Sequence, residues 1–303
     1  MASTQEFRRR IKSVNNTKQI TKAMEMIASI KMQKSVKAAQ TARAYIQNAW
    51  NMLHKLARLT LPENHPLVFE RPVRRMAIIL ITSDRGLCGS YNSELLKKFV
   101  NFEKDLCACN DDVCKSYQGG CDIIALGKKG AEFAKRYNVG KLIAEFPAFE
   151  SNIEPADIIP VSKMSIGEYI KGNYDRVVII YSHFQSSLKQ VPVVQQLLPI
   201  REEHIDKTEI WAQQEVDLGE YKFEPSADLV MEGILKQVLR TQIYGAVLEA
   251  NASEHSARMV AMQSATDNAK ELIDELRLLY NSVRQDSITR EIAEISGAAD
   301  AMK

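Results

Sequence analysis

Apolar and small residues recur at alternating steps of four and three within the first fifth of the chain. Only Ser35 is polar among the residues of this series, which are Ala28, Met32, Ser35, Ala39, Ala42, Ile46, Ala49, Leu53 and Leu56. Such spacing is a heptad repeat, in which one stripe of a helix faces a partner helix. The pattern predicts a first helix from about Gln5 to Leu59.

The end of the chain repeats the pattern over a longer stretch. Its predicted stripe comprises Leu239, Ile243, Ala246, Ala250, Ser253, Ala257 and Val260, and then Met262, Ala265, Ala269, Leu272, Leu276, Leu279 and Val283. Pro225 stands where a proline favours the first turn of a helix, and no proline follows it. A helix of about 70 residues at 1.5 Å per residue would be roughly 100 Å long.

Two long helices can bury these stripes most simply against each other, as an antiparallel coiled coil. Alanine at many stripe positions lets the two helix axes come close, which favours a thin rod. Gly233 and Gly245 each cost about 1 kcal/mol relative to Ala inside a helix, so we expect them to mark close contacts or mild bends. A plain helical bundle is the alternative interpretation of the periodicity alone.

The middle of the chain alternates between apolar runs and helical stretches. Pro62 and Pro66 lie in the segment from Leu61 to Leu67 that ends the first helix. The predicted strands are Met76 to Thr82, Asp122 to Leu126, Arg176 to Tyr181 and Gln190 to Leu198, and the predicted helices are Asn92 to Phe102 and Lys128 to Tyr137. This order predicts an α/β fold class, with a central Rossmann-like domain and a partly parallel sheet. The chain then divides into helix 1–60, α/β domain 61–225 and helix 226–303.

Length and composition favour a folded protein with a sizeable core, because 45% of the 303 residues are hydrophobic and 26% are charged. No apolar run is long enough to span a bilayer. The first residues, MASTQEFRRR, lack the apolar stretch of a secretory signal, so we expect a protein that is not secreted.

Positive charge is concentrated in the first helix. Residues 1–60 contain twelve Lys or Arg against Glu6 and Glu25, a net charge of +10, which leaves −8 for the rest of a chain whose total is +2. A basic helix can bind nucleic-acid phosphates or an acidic protein surface, or it can simply be solvated. Few aromatics interrupt the basic stretch, and the last helix carries twelve acids against eight bases. An acidic protein collar around the rod is therefore favoured over nucleic acid.

Catalytic chemistry has little support in the sequence. The turn from Asp84 to Ser90 follows a strand and precedes a helix, where an α/β fold can hold a phosphate. It lacks both the three glycines of a dinucleotide fingerprint and the Gly-Lys-Ser/Thr of a P-loop, and Gly127-Lys128 is followed by Lys129. The five histidines are scattered, and His183 after a buried strand is better explained as structural. We therefore predict no catalytic residue and no cofactor, and we assign no metal ligand.

Four cysteines fall within fifteen residues, between a predicted helix and the next strand: Cys107, Cys109, Cys114 and Cys121. Their spacing lacks the paired C-x-x-C of common zinc sites, and a chain without a secretion signal normally keeps its thiols reduced. Free thiols, a redox switch and a metal site all remain open, with Cys107, Cys109 and Cys114 as the possible redox group.

Three stretches carry a resemblance to a known family. They read IKSVNNTKQITKAMEMIASIKMQKS, TSDRGLCGSYN and ASEHSARMVAMQSATDNAKELIDELRLLYNSVRQDSITREIAEISGAADAM. Together they resemble the gamma subunit of F-type ATP synthase, along essentially the whole chain. The resemblance implies a non-catalytic central rotor shaft: a coiled coil inside a hexamer of alpha and beta subunits, with an α/β domain at its base on the membrane ring. Proton or sodium flow would turn this shaft, while ATP is made or hydrolysed on the hexamer.

The resemblance also implies roles for particular residues. Met24 matches a shaft position near the beta loops. The family's collar-binding positions, acting as a catch, match Arg284, Gln285, Thr289 and Glu291. Further implied partners are the epsilon subunit and the membrane c-ring, through residues near Arg201 to Tyr221.

The implied location is peripheral, at the cytoplasmic face of the bacterial inner membrane. A basic coiled-coil protein that binds nucleic acid is the second hypothesis for the chain, and a nucleotide-using α/β enzyme is the third.

Overall fold

A computed structural model describes residues 4–60, 65–108, 121–149, 153–200 and 227–301. Its helices are α1 (Thr4–Thr60), α2 (Tyr91–Ala108), α3 (Lys128–Tyr137), α4 (Ile159–Ile170) and α5 (Ala227–Ala301). Its strands are β1 (Met76–Ile81), β2 (Cys121–Leu126), β3 (Lys141–Phe146), β4 (Arg176–Phe184) and β5 (Gln190–Leu198). The two long helices and the four predicted strands are confirmed, whereas β3 and α4 were not predicted.

The chain forms two compact units. The terminal unit consists of Met1–Ser29 and Arg258–Lys303, and the central unit of Ile30–Ala257. Each contains part of α1 and part of α5, because both helices run continuously through the boundary residues.

The central unit contains a five-stranded sheet in the order β3-β2-β1-β4-β5. Strand β1 pairs in parallel with β2 and with β4, β2 pairs in parallel with β3, and β5 joins β4 antiparallel. All six residues of β1 are buried, as expected for a central strand covered on both faces. The order reverses between β1 and β4, which is the topology of a Rossmann-like sheet, so the predicted fold class is confirmed.

Alternate residues of the sheet enter two separate cores. Ile78 and Leu80 of β1 face a cluster that includes Leu95 and Phe99 of α2 and Ala131 of α3. The opposite face packs against α4 and the long helices, in a cluster that includes Ile79, Val177, Tyr169, Ala42 and Ile243. The long helices of the central unit therefore serve as one covering layer of the sheet.

The helix stripes of the central unit follow the predicted heptads. Ser35, Ala39, Ala42 and Leu53 of α1 are buried, as are Leu239, Ile243, Ala246 and Ala250 of α5. The helices are antiparallel, since Arg43 contacts Glu249 and Tyr45 contacts Gln237. Burial of small residues on both sides supports the close approach that the alanine content predicted.

The terminal unit also pairs its two helices antiparallel, but its stripe on α5 differs from the prediction. Leu272 and Leu279 are 43% and 53% exposed, whereas Ile273 and Leu276 are buried. The stripe therefore runs through Met262, Thr266, Ala269, Ile273 and Leu276. The predicted and observed stripes share Met262, Ala269 and Leu276, because both repeat every seven residues. They differ at the positions in between, where the prediction named Ala265 and Leu272 but Thr266 and Ile273 are buried. Only the position of the partner helix selects between the two patterns.

Gly233 and Gly245 of α5 occupy different surroundings, and only Gly245 makes a close contact. A Cβ on Gly245 would lie 2.7 Å from Ile46 Cδ1, so this glycine does mark a close contact between the long helices. A Cβ on Gly233 would meet no atom within 4 Å, so a close contact does not explain this glycine, and a mild bend there stays a prediction.

Alanine substitution is expected to change the free energy of unfolding differently at these two positions. Gly233→Ala should raise the free energy of unfolding by about 0.5–1 kcal/mol, because alanine loses less backbone freedom than glycine on entering a helix. Gly245→Ala should give a smaller gain or a loss, because the new methyl group has to displace Ile46. Urea unfolding followed by circular dichroism measures both, and equal gains at the two sites would contradict the assigned contact.

Candidate partner-binding surface

The four predicted catch residues lie on one continuous stretch of α5 in the terminal unit. Arg284, Gln285, Thr289 and Glu291 are all exposed. The Thr289 hydroxyl donates a hydrogen bond to the Gln285 carbonyl at 2.9 Å, and the Ser287 hydroxyl donates to Glu291 Oε1 at 3.3 Å. Both bonds stay within the helix, so all four predicted residues are exposed on this stretch, and their role in binding a partner stays a prediction.

Large apolar side chains are exposed on the same stretch. Ile288, Ile292 and Ile295 are 45%, 61% and 70% exposed, respectively. Contiguous exposed apolar surface of this kind marks a site of interaction in a soluble protein. The last part of α5 therefore combines apolar contact area with the hydrogen-bonding groups of the catch.

Met24 lies on α1, also within the terminal unit, and is half-buried. Its neighbours along the helix include Ile20 and Ile27, which are 61% and 56% exposed. Lys22 and Glu25 form an ion pair of 2.8 Å within the same turn. This part of α1 thus offers a second apolar surface, on a different helix from the catch.

The carboxyl edge of the sheet, where a phosphate could bind, is occupied by the protein itself. Asp84 Oδ1 accepts hydrogen bonds from the backbone amides of Lys128 and Ala148, at 2.9 and 3.1 Å. Thr82 Oγ1 accepts from the Gly130 amide at 2.8 Å, and the Ser83 carbonyl accepts from the Lys129 amide at 3.1 Å. The first amides of α3 are therefore already bonded, and they are the groups that would otherwise bind a phosphate.

Close packing at the same edge explains a glycine there. Gly127 has a φ of 104°, and a Cβ at this position would lie 2.1 Å from the Thr82 carbonyl oxygen. Nearby, the Tyr91 hydroxyl donates to the Ala250 carbonyl of α5 at 3.3 Å, so the long helix also approaches this edge. The motif that resembled a weak phosphate site is a structural junction.

Two cysteines can be placed. Both Cys88 and Cys121 are buried. Burial, together with the nearby Glu103 carboxylate, raises the pKa of Cys121 to about 12. Cys109 and Cys114 lie outside the described residues, as does the side chain of Cys107, so the redox hypothesis stays a prediction.

His183 takes part in a partly exposed polar cluster, centred on the mostly buried Glu249, that sequence reasoning missed. Its Nδ1 lies 2.6 Å from Glu249 Oε2, and an Arg43 guanidinium N–H donates to Glu249 Oε1 at 3.1 Å. Burial by itself would raise the pKa of Glu249, but His183 and Arg43 outweigh it, so this pKa is lowered. His183 is thus structural, as predicted, but its partners lie 66 and 140 residues away in the chain, where no local sequence pattern points to them.

Comparison with known proteins agrees with this arrangement. A family model described as ATP synthase matches residues 3–302. The ATP synthase gamma chain of Nitrosomonas eutropha is 37% identical over 303 residues, which is 100% of both chains. The chain belongs to the ATP synthase gamma-subunit family. The gamma chain of Cupriavidus necator is 39% identical over 300 residues, covering 99% of each chain.

Solved structures show the same fold. The rotor of the Euglena gracilis mitochondrial ATP synthase in rotational state 1 matches with a TM-score of 0.62 at 19% identity, covering 94% of this chain and 98% of that one. A chain in the OSCP/F1/c-ring structure from the same organism, in rotational state 3, matches with a TM-score of 0.65 at 18% identity, covering 99% and 94%.

Family membership makes this chain a non-catalytic subunit, the central rotor shaft of an ATP synthase. The nucleic-acid hypothesis has no support from these comparisons. Within the described part of the chain, no helix has the length and apolar character that a membrane span needs.

Proposed function

We propose that the last part of α5 is the surface through which the shaft engages a collar of alpha and beta subunits. The exposed run from Arg284 to Glu291, with the isoleucines beside it, carries this proposal. Exposed isoleucines can rotate against apolar side chains of the surrounding collar, because dispersion and hydrophobic contacts have no preferred direction. The exposed groups of Arg284, Gln285, Thr289 and Glu291 supply directional hydrogen bonds that form at particular rotary positions.

Met24 is proposed as a second contact, with the beta subunits. The basic character of α1 favours an acidic surface opposite it, because residues 26–60 contain no acidic side chain. The epsilon subunit and the membrane c-ring are the proposed partners of the α/β domain 61–225, through residues near Arg201 to Tyr221, which lie outside the described residues. Residues 1–60 and 226–303 are the proposed shaft. This arrangement would hold the subunit at the cytoplasmic face of the bacterial inner membrane, peripheral to it.

Coupling in this scheme is a differential-binding effect. An asymmetric shaft contacts each beta subunit differently, so it stabilises a different nucleotide affinity in each one. Ion flow that turns the shaft then cycles those affinities. The shaft itself contributes contacts rather than catalytic groups.

Removing the catch should weaken coupling without unfolding the subunit. We expect an Arg284→Ala and Gln285→Ala double variant to lower ATP-driven ion pumping in the assembled complex, because two exposed hydrogen-bonding groups are lost. The helix should remain, since alanine is a good helix former. Pumping and ATP hydrolysis are measured together on the reconstituted complex, with circular dichroism of the purified variant as the folding check.

A matched control is Asp286→Asn, an exposed neighbour outside the catch. Normal coupling in the double variant would show that these positions have no role in the collar contact. ATP hydrolysis by the isolated subunit, after removal of any beta subunit, would contradict the rotor function itself.

A further inference from the structure

One segment of α5 in the central unit is held by side-chain hydrogen bonds to the surrounding backbone. The Tyr244 hydroxyl donates to the Ile153 carbonyl at 3.1 Å, and the Asn251 amide donates to the Phe149 carbonyl at 3.0 Å. These two residues are seven apart and share one face of the helix. They bind the loop region between β3 and α4.

Two serines bind the opposite side. The Ser253 hydroxyl donates to the Ser182 carbonyl at 2.9 Å, and the Ser256 hydroxyl donates to the Ser187 carbonyl at 2.6 Å. At about 100° per residue, Ser253 lies on the face opposite Asn251. The helix is therefore bonded from two opposing sides, and bonds on both sides oppose rotation of the helix about its own axis.

Glu249 adds the other long helix to this arrangement. Its side chain is 14% exposed, and both of its oxygens are bonded: Oε1 to Arg43 of α1, and Oε2 to His183 of β4. One carboxylate thus connects α5, α1 and the sheet. Charge-assisted hydrogen bonds of this kind are shorter and stronger than neutral ones.

A rotary shaft needs such directional contacts. The stripes of the long helices in the central unit are made largely of alanine and other apolar residues, and apolar contacts resist separation but have no preferred direction. Hydrogen bonds weaken steeply with misalignment, so they resist slipping and twisting.

We propose that Tyr244, Glu249, Asn251, Ser253 and Ser256, with their partners, form a joint that transmits torque between the α/β domain and the two long helices. Glu249 is its central positioning residue, because it joins three elements through one side chain. The proposal rests on the rotor function and goes beyond it, because it names the residues that join the α/β domain to the two long helices.

The test uses the intact ATP synthase in sealed vesicles. Glu249→Ala and Glu249→Gln are compared with Glu232→Gln as the matched control. Glu232 has the same residue type on the same helix, but its ion pair, with Lys236 at 2.5 Å, lies within that helix. Two quantities are measured: ions pumped per ATP hydrolysed against a rising opposing gradient, and hydrogen exchange of the α5 peptides.

We expect Glu249→Ala to raise the exchange rate of amides in residues 244–256 by about 10- to 100-fold, the effect of losing two charge-assisted bonds to one mostly buried carboxylate. The pumping ratio should fall as the opposing gradient grows, while hydrolysis without a gradient stays normal. Glu232→Gln should change neither quantity.

Rescue by a conservative change tests the positioning role separately. His183→Gln keeps a side-chain N–H donor for Glu249, whereas His183→Leu removes it. Loss of coupling under load in His183→Leu, with recovery in His183→Gln, would support the joint, and it remains measurable if Glu249→Ala fails to assemble.

Unchanged exchange and unchanged coupling in Glu249→Ala would overturn the proposal. Faster exchange with full coupling under load would also overturn it, because the bonds would then stabilise the fold without transmitting torque. Failure of the rotor function would look different: vesicles lacking this subunit would pump as well as vesicles containing it.

Discussion

Alkylation of Cys121 in the folded chain is expected to be about 1000-fold slower at pH 8 than alkylation of an ordinary exposed thiol. Only the thiolate reacts, and burial beside Glu103 raises the pKa of Cys121 from 9.0 to about 12. Iodoacetamide labelling of native and urea-unfolded chain, followed by mass spectrometry of the peptide that contains Cys121, measures the ratio.

The same pKa shift makes stability depend on pH. The folded-state pKa lies above the unfolded-state value, so the folded protein holds its proton where the unfolded protein loses it. This contribution is fully present below about pH 9 and is lost as pH rises towards 12. Equal labelling rates in the native and unfolded chain would contradict the assigned environment. If the prediction holds, a redox switch in this region would have to use Cys107, Cys109 and Cys114 instead.

Replacing Ser35 should test the close packing of the long helices with effects of opposite sign. Ser35 is completely buried on α1, and its hydroxyl has no hydrogen-bond partner among the described residues. We expect Ser35→Leu to lower the free energy of unfolding by about 1–3 kcal/mol or more, because the larger side chain overpacks a closely packed stripe. Urea unfolding, monitored by circular dichroism, measures the change.

Ser35→Ala is the matched control, and it should raise the free energy of unfolding by about 1 kcal/mol. It removes a buried hydroxyl without a partner and introduces a better helix former. A destabilising Ser35→Ala would show that the hydroxyl is bonded, and a harmless Ser35→Leu would show that the helices are not in close contact there.

The long periodic helices and the Val- and Ile-rich strands could be predicted from sequence, including the half-buried β5, whereas β3 and α4 could not. Strand β1 is apolar on both faces, so its run of six buried residues was recognisable. Strand β3 alternates exposed and half-buried positions, and Lys141 and Glu145 interrupt its apolar residues, so its strand signal was weak. It becomes a strand because β2 offers an edge on which it can pair. Helix α4 is short and carries a proline and a glycine, both poor helix formers, so its local propensity was weak.

For the candidate site, too, some residues could be identified from the sequence and others only from the structure. Resemblance to a family identified Arg284, Gln285, Thr289 and Glu291, and the structure adds that all four are exposed on one helix stretch. The cluster around Glu249 had no sequence signal, because Arg43, His183 and Glu249 are far apart in the chain and none belongs to a local motif.

The sequence by itself determined that this chain has two long heptad-patterned helices around a Rossmann-like sheet, and to which family it belongs. These features follow from local periodicity and from long continuous motifs, which need no knowledge of the folded chain. The tertiary structure alone decided that Ile273 rather than Leu272 faces the partner helix, and that α5 approaches the possible phosphate site. It also decided that Glu249 joins α1, α5 and the sheet. Each of these depends on which surfaces meet across many residues of chain, and burial and hydrogen bonding settle that only when the whole fold is assembled.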